Sequence, residues 1–350
     1  MTIQADVVIV GAGPCGLFQV FELGLLGLRA HVVETLARPG GQCAELYPDK
    51  PIYDIPALPV CGAQELVARL QQQIAPFSPT FHLGQQVQVL EPQQDGLLYL
   101  RTDRSTEFSA RTVVIAAGIG SFEPVRLAVD GIDRFVDAQL HYAVRSAAPF
   151  RGKNLVVLGG GDSALDWALN LVDVAESVVL VHRSETFKAA PASVERMRAL
   201  CDDGRMQFLV GNVTGFHERD GRLSELVVLG ADSVKRRIAL DHLLVFFGMH
   251  PRLGPIGDWG LALNKSQIVV DTEKFESSVP GVYAVGDISW YPGKRKLILS
   301  GFHEAALAAF AIKARLTPGE KVRLQYTTTS PIMHKRLGVA DPYAEDRRAA

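Results

Sequence analysis

At 350 residues the chain is too long for one ordinary core and is expected to form about two domains of roughly 150 residues. Hydrophobic residues make up 47% and charged residues 21%, and the net charge is −2, which excludes wholesale disorder and any global pull towards nucleic acid or anionic membrane. No apolar run reaches the ~18 residues of a membrane span, and the N-terminal run leads into a glycine loop with no basic residue before it, so a cytoplasmic protein is expected.

Residues 6–10, "DVVIV", form a short apolar run of the kind buried on both faces of a sheet. Gly11, Gly13 and Gly16 follow as G-x-G-x-x-G, with Cys15 inside the loop. The first glycine permits a tight turn, the second lets backbone approach a pyrophosphate, and the third lets the helix pack on the strand. A helix starting near Pro14 would offer its free N–H groups and positive dipole end to the phosphates. The next strand, "AHVVE", ends at Glu34, eighteen residues after Gly16. A carboxylate there accepts hydrogen bonds from both hydroxyls of an adenosine ribose and repels a 2′-phosphate.

"TVVIAAGIGSFEP" (112–124) reads as a strand running into small residues and glycines, as expected where the chain crosses between two nucleotide domains. A second fingerprint follows the strand "NLVVL": Gly159, Gly161 and Ala164 as G-x-G-x-x-A, with Asp162 and Ser163 at the helix start. The strand after it, "SVVLV", leads to His182, again eighteen residues beyond the last position of the loop, then Arg183 and Lys188. Cations at the ribose position favour a 2′-phosphate through charge-assisted hydrogen bonds. The first unit is therefore expected to hold FAD and the second NADPH, so that hydride passes from nicotinamide to flavin. Near the end, "VPGVYAVGDIS" is a strand closing on Gly-Asp, where Asp287 is placed to bind the ribityl hydroxyls. The four cysteines (Cys15, Cys43, Cys61 and Cys201) contain no C-x-x-C and no zinc spacing, so they read as small buried hydrophobes and no metal is expected.

Together these residues resemble the two-dinucleotide-domain flavoprotein reductases, with the domain order of the low-molecular-weight thioredoxin reductases. The region before the second loop, "DAQLHYAVRSAAPFRGK", has no redox cysteine pair, and "GGQCAELYP" has Cys43 but Pro48 where larger disulfide reductases have a second cysteine. A dithiol relay is absent from both places, and one thiol cannot pass two electrons by exchange within one site. "GGQCAELYPDKPIYDIPALP", "LHYAV" and the tail 317–350 are similar to the thioredoxin-reductase-like ferredoxin–NADP⁺ reductases. That resemblance implies an α/β chain of two Rossmann-like domains, a homodimer with FAD, and ferredoxin as electron partner. By matching positions it implies flavin contacts at Gly41, Gln42, Val87, Phe122 and Thr328, and aromatic rings over the two flavin faces at Tyr47 and Tyr326. It also makes the chemistry the flavin's own, with no catalytic acid or base. Because ferredoxins are acidic, a basic rim is expected at Lys294, Arg295 and Lys296, or at Lys335 and Arg336. The FAD domain is expected over 1–120 and 283–350, with the NADPH domain inserted as 121–282. A diaphorase acting on a quinone or flavodoxin, a thioredoxin-type disulfide reductase, and a non-catalytic flavin sensor remain alternatives.

Overall fold

A computed structural model describes residues 2–48, 50–144 and 146–342, apart from the side chains of residues 121–123 and 249–251. In β1 (Ile3–Val10), Val7, Val8 and Ile9 have no exposed surface, so both faces of the strand are covered. α1 (Pro14–Leu25) starts with proline in its first turn, where no backbone N–H is needed. β2 (Ala30–Glu34) lies parallel to β1. The short α2 (Gly41–Glu45) precedes α3 (Ala63–Ile74), which buries Ala63, Leu66, Val67, Leu70 and Ile74 as the stripe of a core-facing helix. β3 (Thr80–Leu83) pairs with β2, and β4 (Val87–Pro92), β5 (Leu98–Thr102) and β6 (Glu107–Ile115) form an antiparallel meander whose last strand lies parallel to β1.

Residues 122–250 form a second unit. In chain order it contains β7 (Leu140–His141), β8 (Asn154–Leu158), α4 (Asp162–Leu171), β9 (Ser177–His182), α5 (Pro191–Asp202), β10 (Gln207–Arg219), β11 (Arg222–Gly230), β12 (Lys235–Ala239) and β13 (His242–Val245). Its sheet runs β7-β13-β8-β9-β10-β11-β12, parallel up to β10 and antiparallel beyond it. Val156 and Leu158 of β8 join one apolar cluster while Leu155 and Val157 join another. The alternation of a strand feeds both faces, which is why the run has no polar position.

At Pro251 the chain rejoins the first unit. It adds β14 (Gln267–Val269), β15 (Val282–Ala284), β16 (Ser289–Trp290), α6 (Ile298–Leu316) and α7 (Pro331–Leu337). β15 pairs in parallel with the C-terminal end of β6. The expected return point near 283 is corrected to 251. Residues 251–282 belong with the first unit because Trp259 Nε1 donates to Gln88 O at 3.2 Å, Ile268 and Val270 share that unit's core, and β14 pairs with β16. Among the described residues no helix is long and apolar enough to cross a membrane, and no three metal-ligating side chains converge.

Each unit carries a facing histidine pair on neighbouring strands. His31 Nδ1 lies 3.1 Å from His82 Nε2, and His141 Nε2 lies 3.1 Å from His242 Nδ1. Each contact needs one nitrogen donating and the other accepting, so full protonation breaks it. Burial lowers all four pKa values below the ordinary value of about 6.5. Folded pKa values below unfolded ones mean that the unfolded chain binds more protons in acid. Stability from these pairs should be complete above about pH 6.5 and be lost as pH falls below it. Thermal melts at pH 5.5 and 7.5 should differ by a few degrees, and the His82→Gln/His242→Gln variant should lose most of that difference. An unchanged pH dependence in the variant would refute the assignment.

Candidate functional site

The first glycine loop separates packing from binding. At Gly11, with φ +107°, a Cβ would lie 2.5 Å from Ala116 O; at Gly16 it would lie 2.0 Å from Gly11 O. Both glycines are required by the protein's own backbone. At Gly13 the nearest atom to such a Cβ is Gly41 Cα, 4.0 Å away. Among the described residues nothing crowds that position, and no side chain caps α1, which begins there. The residues therefore fit a pyrophosphate, which needs both the open space and the uncapped N–H groups.

Glu34 sits at the end of β2 with 7% of its surface exposed. Ala12 N–H donates to its Oε2 at 2.7 Å and Leu36 N–H to its Oε1 at 2.9 Å. The carboxylate thus braces the glycine loop, a role its spacing did not reveal, and still has acceptor directions left for ribose hydroxyls. Burial pushes its pKa up, and the backbone hydrogen bonds oppose that. Val87 is buried at the start of β4, close to the segment where Gln85 N–H donates to Glu34 O.

The Gly-Asp turn comes back against the start of α1. A Cβ on Gly286 would lie 3.0 Å from Cys15 Sγ, and one on Gly301 would lie 2.2 Å from it. Cys15 thus fills a slot between two glycines. Burial, with the nearby Asp287 charge second, pushes its thiol up to about 12. Asp287 is half-buried, and no hydrogen bond from a described residue reaches its carboxylate; burial raises its pKa while Lys294 and Lys296 pull it down. Tyr47 accepts a long contact of 3.8 Å from Cys43 Sγ. Burial chiefly, then Cys43 and Asp287, push its phenol above the usual range. Gln42 Nε2 lies 3.2 Å from where a Gly118 Cβ would stand, and a Gly41 Cβ would be 3.1 Å from Gly13 Cα. Gly41 thus lies against Gly13, Gln42 against Gly118, and the Gly286–Asp287 turn against Cys15. The Phe122 side chain lies outside the described residues.

Two expected groups are elsewhere. Tyr326 is 65% exposed, and the tail that carries it is held by α7 at the opposite end of α1, where the Arg336 guanidinium donates to Leu25 O. The twelve residues of α1 separate the two ends by about 18 Å. Within one chain, then, Tyr326 and Thr328 are not beside Asp287. Lys294 is the second correction. Its side chain is 4% exposed and paired with the fully buried Glu304, so it is no part of an exposed rim; Arg295 and Lys296 are exposed. Arg336 is engaged with α1, while Lys335 is exposed. The lone Glu304 in the apolar stripe of α6 was the available sign of a buried charge and was missed.

The second loop repeats the pattern. At Gly159, with φ +143°, a Cβ would lie 2.5 Å from Phe246 O and 2.9 Å from Ala164 Cβ. At Gly161 nothing lies within 4 Å. The middle position is again the one the protein does not need, which fits a second pyrophosphate. Asp162 Oδ1 accepts from Ala190 N–H at 2.9 Å, and Ser163 is exposed beside it in the first turn of α4. The His182 ring packs on Gly160, where an added Cβ would lie 2.2 Å from Nε2, and Phe187 covers it at 5.3 Å. Burial lowers its pKa, so at neutral pH it is an uncharged plate under the loop. The free charges are those of Arg183 and Lys188, both exposed, and Lys188 N–H donates to Gly160 O at 2.8 Å, fixing that residue above the loop.

No two of the four cysteines are bonded, and burial raises all four thiol pKa values. Such thiols carry little thiolate at neutral pH and make poor relays.

Residues 5–311 match the pyridine nucleotide-disulphide oxidoreductase family. Ferredoxin–NADP reductase 2 of Cupriavidus metallidurans is 59% identical over 340 residues, covering 97% of this chain and 93% of that one. The ferredoxin–NADP reductase of Methylibium petroleiphilum is 60% identical over 344 residues, covering 97% and 94%. Among solved structures, T. acidophilum thioredoxin reductase superposes with a TM-score of 0.73 at 22% identity, covering 89% of this chain and 98% of that one. A bacillithiol disulfide reductase from Staphylococcus aureus gives 0.74 at 16% identity, covering 90% and 100%. At those identities the structural matches speak for the fold alone.

Proposed function

This chain belongs to the pyridine nucleotide-disulphide oxidoreductase family and to its ferredoxin–NADP reductases, and from that premise we propose that it works as a cytoplasmic homodimer passing electrons between NADPH and ferredoxin through FAD. The observation that carries the reading is the pair of glycine loops whose middle glycines, Gly13 and Gly161, face open space while their neighbours are crowded by backbone.

FAD, when bound, supplies the two-electron exchange with a nicotinamide and the one-electron exchange with an iron–sulfur carrier. The chain binds, orients and shields. The uncapped start of α1 holds phosphate, Glu34 takes ribose hydroxyls, and Asp287 takes hydroxyls of the ribityl chain. The Tyr47 ring would cover one side of the isoalloxazine and exclude water there. In the second unit Arg183 and Lys188 select the phosphorylated ribose, as two exposed cations do for a dianion. With no two of the four cysteines bonded, the chain offers no thiol pair to relay electrons, and a bound flavin would supply the exchange with the carrier itself.

The exposed apolar residues of the tail, Leu324, Tyr326, Ile332 and Val339, support the dimer. Held at the far end of α1, Tyr326 and Thr328 reach a flavin from a second copy, and the apolar surface around them suits such a contact. Sedimentation at micromolar concentration should show two chains per particle; a monomer would refute this.

For docking, Arg295 and Lys296 stand beside the exposed Leu297 and Leu299, a basic rim with an apolar centre. The Arg295→Glu/Lys296→Glu variant should raise the ferredoxin KM by about tenfold at low salt, less at high salt, and leave ferricyanide reduction nearly unchanged. An equal loss with both acceptors would count against this surface. The function itself is tested by comparing acceptors: NADPH oxidation should be coupled to ferredoxin and not to thioredoxin. Turnover of thioredoxin, or of quinone alone, would replace the reading.

A further inference from the structure

Behind the Gly-Asp turn lies a buried polar network to which no role has been assigned. Of the buried residues of α6, all but Glu304 are glycine, alanine, isoleucine or leucine. Glu304 has no exposed surface, and its ion-pair partner Lys294 is only 4% exposed. Gly286 N–H donates to Glu304 Oε2 at 2.7 Å, and Tyr291 OH donates to Oε1 at 2.9 Å, the oxygen that the Lys294 ammonium also meets. The Ser289 hydroxyl lies 2.9 Å from Gly286 O and 3.2 Å from Glu304 Oε2 and can donate to either. From the other side, Gln267 Nε2 donates to Asp287 O at 2.9 Å and to Ser289 O at 2.8 Å. The turn that carries Asp287 is thus clamped at its N–H side by Glu304 and at its carbonyls by Gln267.

Gln267 does its part with neutral atoms. Burying a full ion pair behind a turn costs desolvation that apolar packing would avoid. An ion pair kept there invites a second effect, and Asp287 is its neighbour. The groups that face Asp287 are Lys294 and Lys296, which favour its charged form, Glu304, which opposes it, and the neutral Cys15, Cys43 and Tyr47. Burial alone drives the carboxyl towards protonation, and Lys294 is the largest of the opposing influences.

We propose that Lys294 and Glu304 form a positioning pair for flavin binding: Glu304 fixes the backbone of the Gly286–Ser289 turn, and Lys294 holds the adjacent Asp287 carboxylate ionised, ready to accept hydroxyl hydrogen bonds. The proposal rests on the reading that FAD occupies this site. Without Lys294, Asp287 protonates at higher pH and becomes a poorer acceptor, so flavin binding weakens more as the pH falls.

The test is flavin titration of the apoprotein, followed by fluorescence quenching from pH 6 to 9, with folding checked by circular dichroism. Lys294→Met should weaken flavin binding by roughly tenfold at pH 6.5 and by threefold or less at pH 9. The same change in an Asp287→Asn background should add no pH dependence, because the titrating group is gone. If Lys294→Met does not fold, the Lys294→Met/Glu304→Gln variant, which leaves no unpaired buried charge, serves instead: because Lys294 outweighs Glu304 at Asp287, its flavin affinity should still fall more at pH 6.5 than at pH 9. A Lys294→Met profile parallel to that of the parent would overturn the pair. So would pH dependence that survives Asp287→Asn, or a folded double variant whose pH profile parallels that of the parent. A parent that takes up no flavin at any pH would overturn the flavin reading and this proposal with it.

Discussion

Replacing Gly161 with glutamate is expected to give a folded, yellow protein that NADPH cannot reduce. Among the described residues, its own chain neighbours and the backbone of α4 aside, no atom lies within 4 Å of a Cβ at that position, so the substitution meets no steric objection from them. Gly161 precedes α4 in extended backbone, with φ −101° and ψ 179°, which glutamate adopts without strain. What the new side chain fills is the space a pyrophosphate needs, and it places a negative charge there. The loss in kcat/KM for NADPH should be at least about 10³-fold, or roughly 4 kcal/mol. Flavin content and melting temperature should stay near those of the parent, because the first unit is untouched. Gly159→Ala provides the contrast: its Cβ would lie 2.5 Å from Phe246 O, so it should lower stability first and activity as a consequence. Loss of folding in Gly161→Glu, or full NADPH activity, would remove the claim that this glycine serves a ligand.

The second large effect is at Arg183. With His182 neutral and packed on Gly160, discrimination for a 2′-phosphate falls to Arg183 and Lys188. Arg183→Glu should lower NADPH kcat/KM by about 10²-fold, equivalent to a lost charge-assisted pair of roughly 2–3 kcal/mol, and change NADH far less. His182→Asn should be the milder change and act similarly on both nucleotides. A parallel loss of NADH and NADPH activity in Arg183→Glu would show that the arginine shapes the loop instead of reading the phosphate.

Features encoded within a few residues could be read directly from the sequence. Both glycine loops, the strands before them and the residues eighteen positions beyond are local patterns, and the structure places each at the end of a parallel strand. What escaped depends on partners distant in the chain. Lys294 lies in "GKRK", which has the look of a solvated cluster; only the fold of α6 brings Glu304 to it. Glu34 reads in the sequence as a candidate ribose ligand but not as the brace of Ala12 and Leu36, because backbone donors leave no trace in side-chain identity. The boundary at 251 escapes because β14 joins the first unit through β16, some twenty residues downstream; the glycines and prolines at the crossing (Gly248, Pro251, Gly254, Pro255) read only as a local turn until that pairing is known. The tail position was missed for a similar reason: the bond between Arg336 and Leu25 spans almost the whole chain.

The central claim of the proposed function is that bound flavin stores the electrons without help from a thiol pair. Anaerobic titration of the purified protein with NADPH measures this directly. The account predicts uptake of roughly two electrons per bound flavin, with bleaching complete at that point. Uptake of roughly four electrons, the capacity of a flavin plus a disulfide, would contradict it.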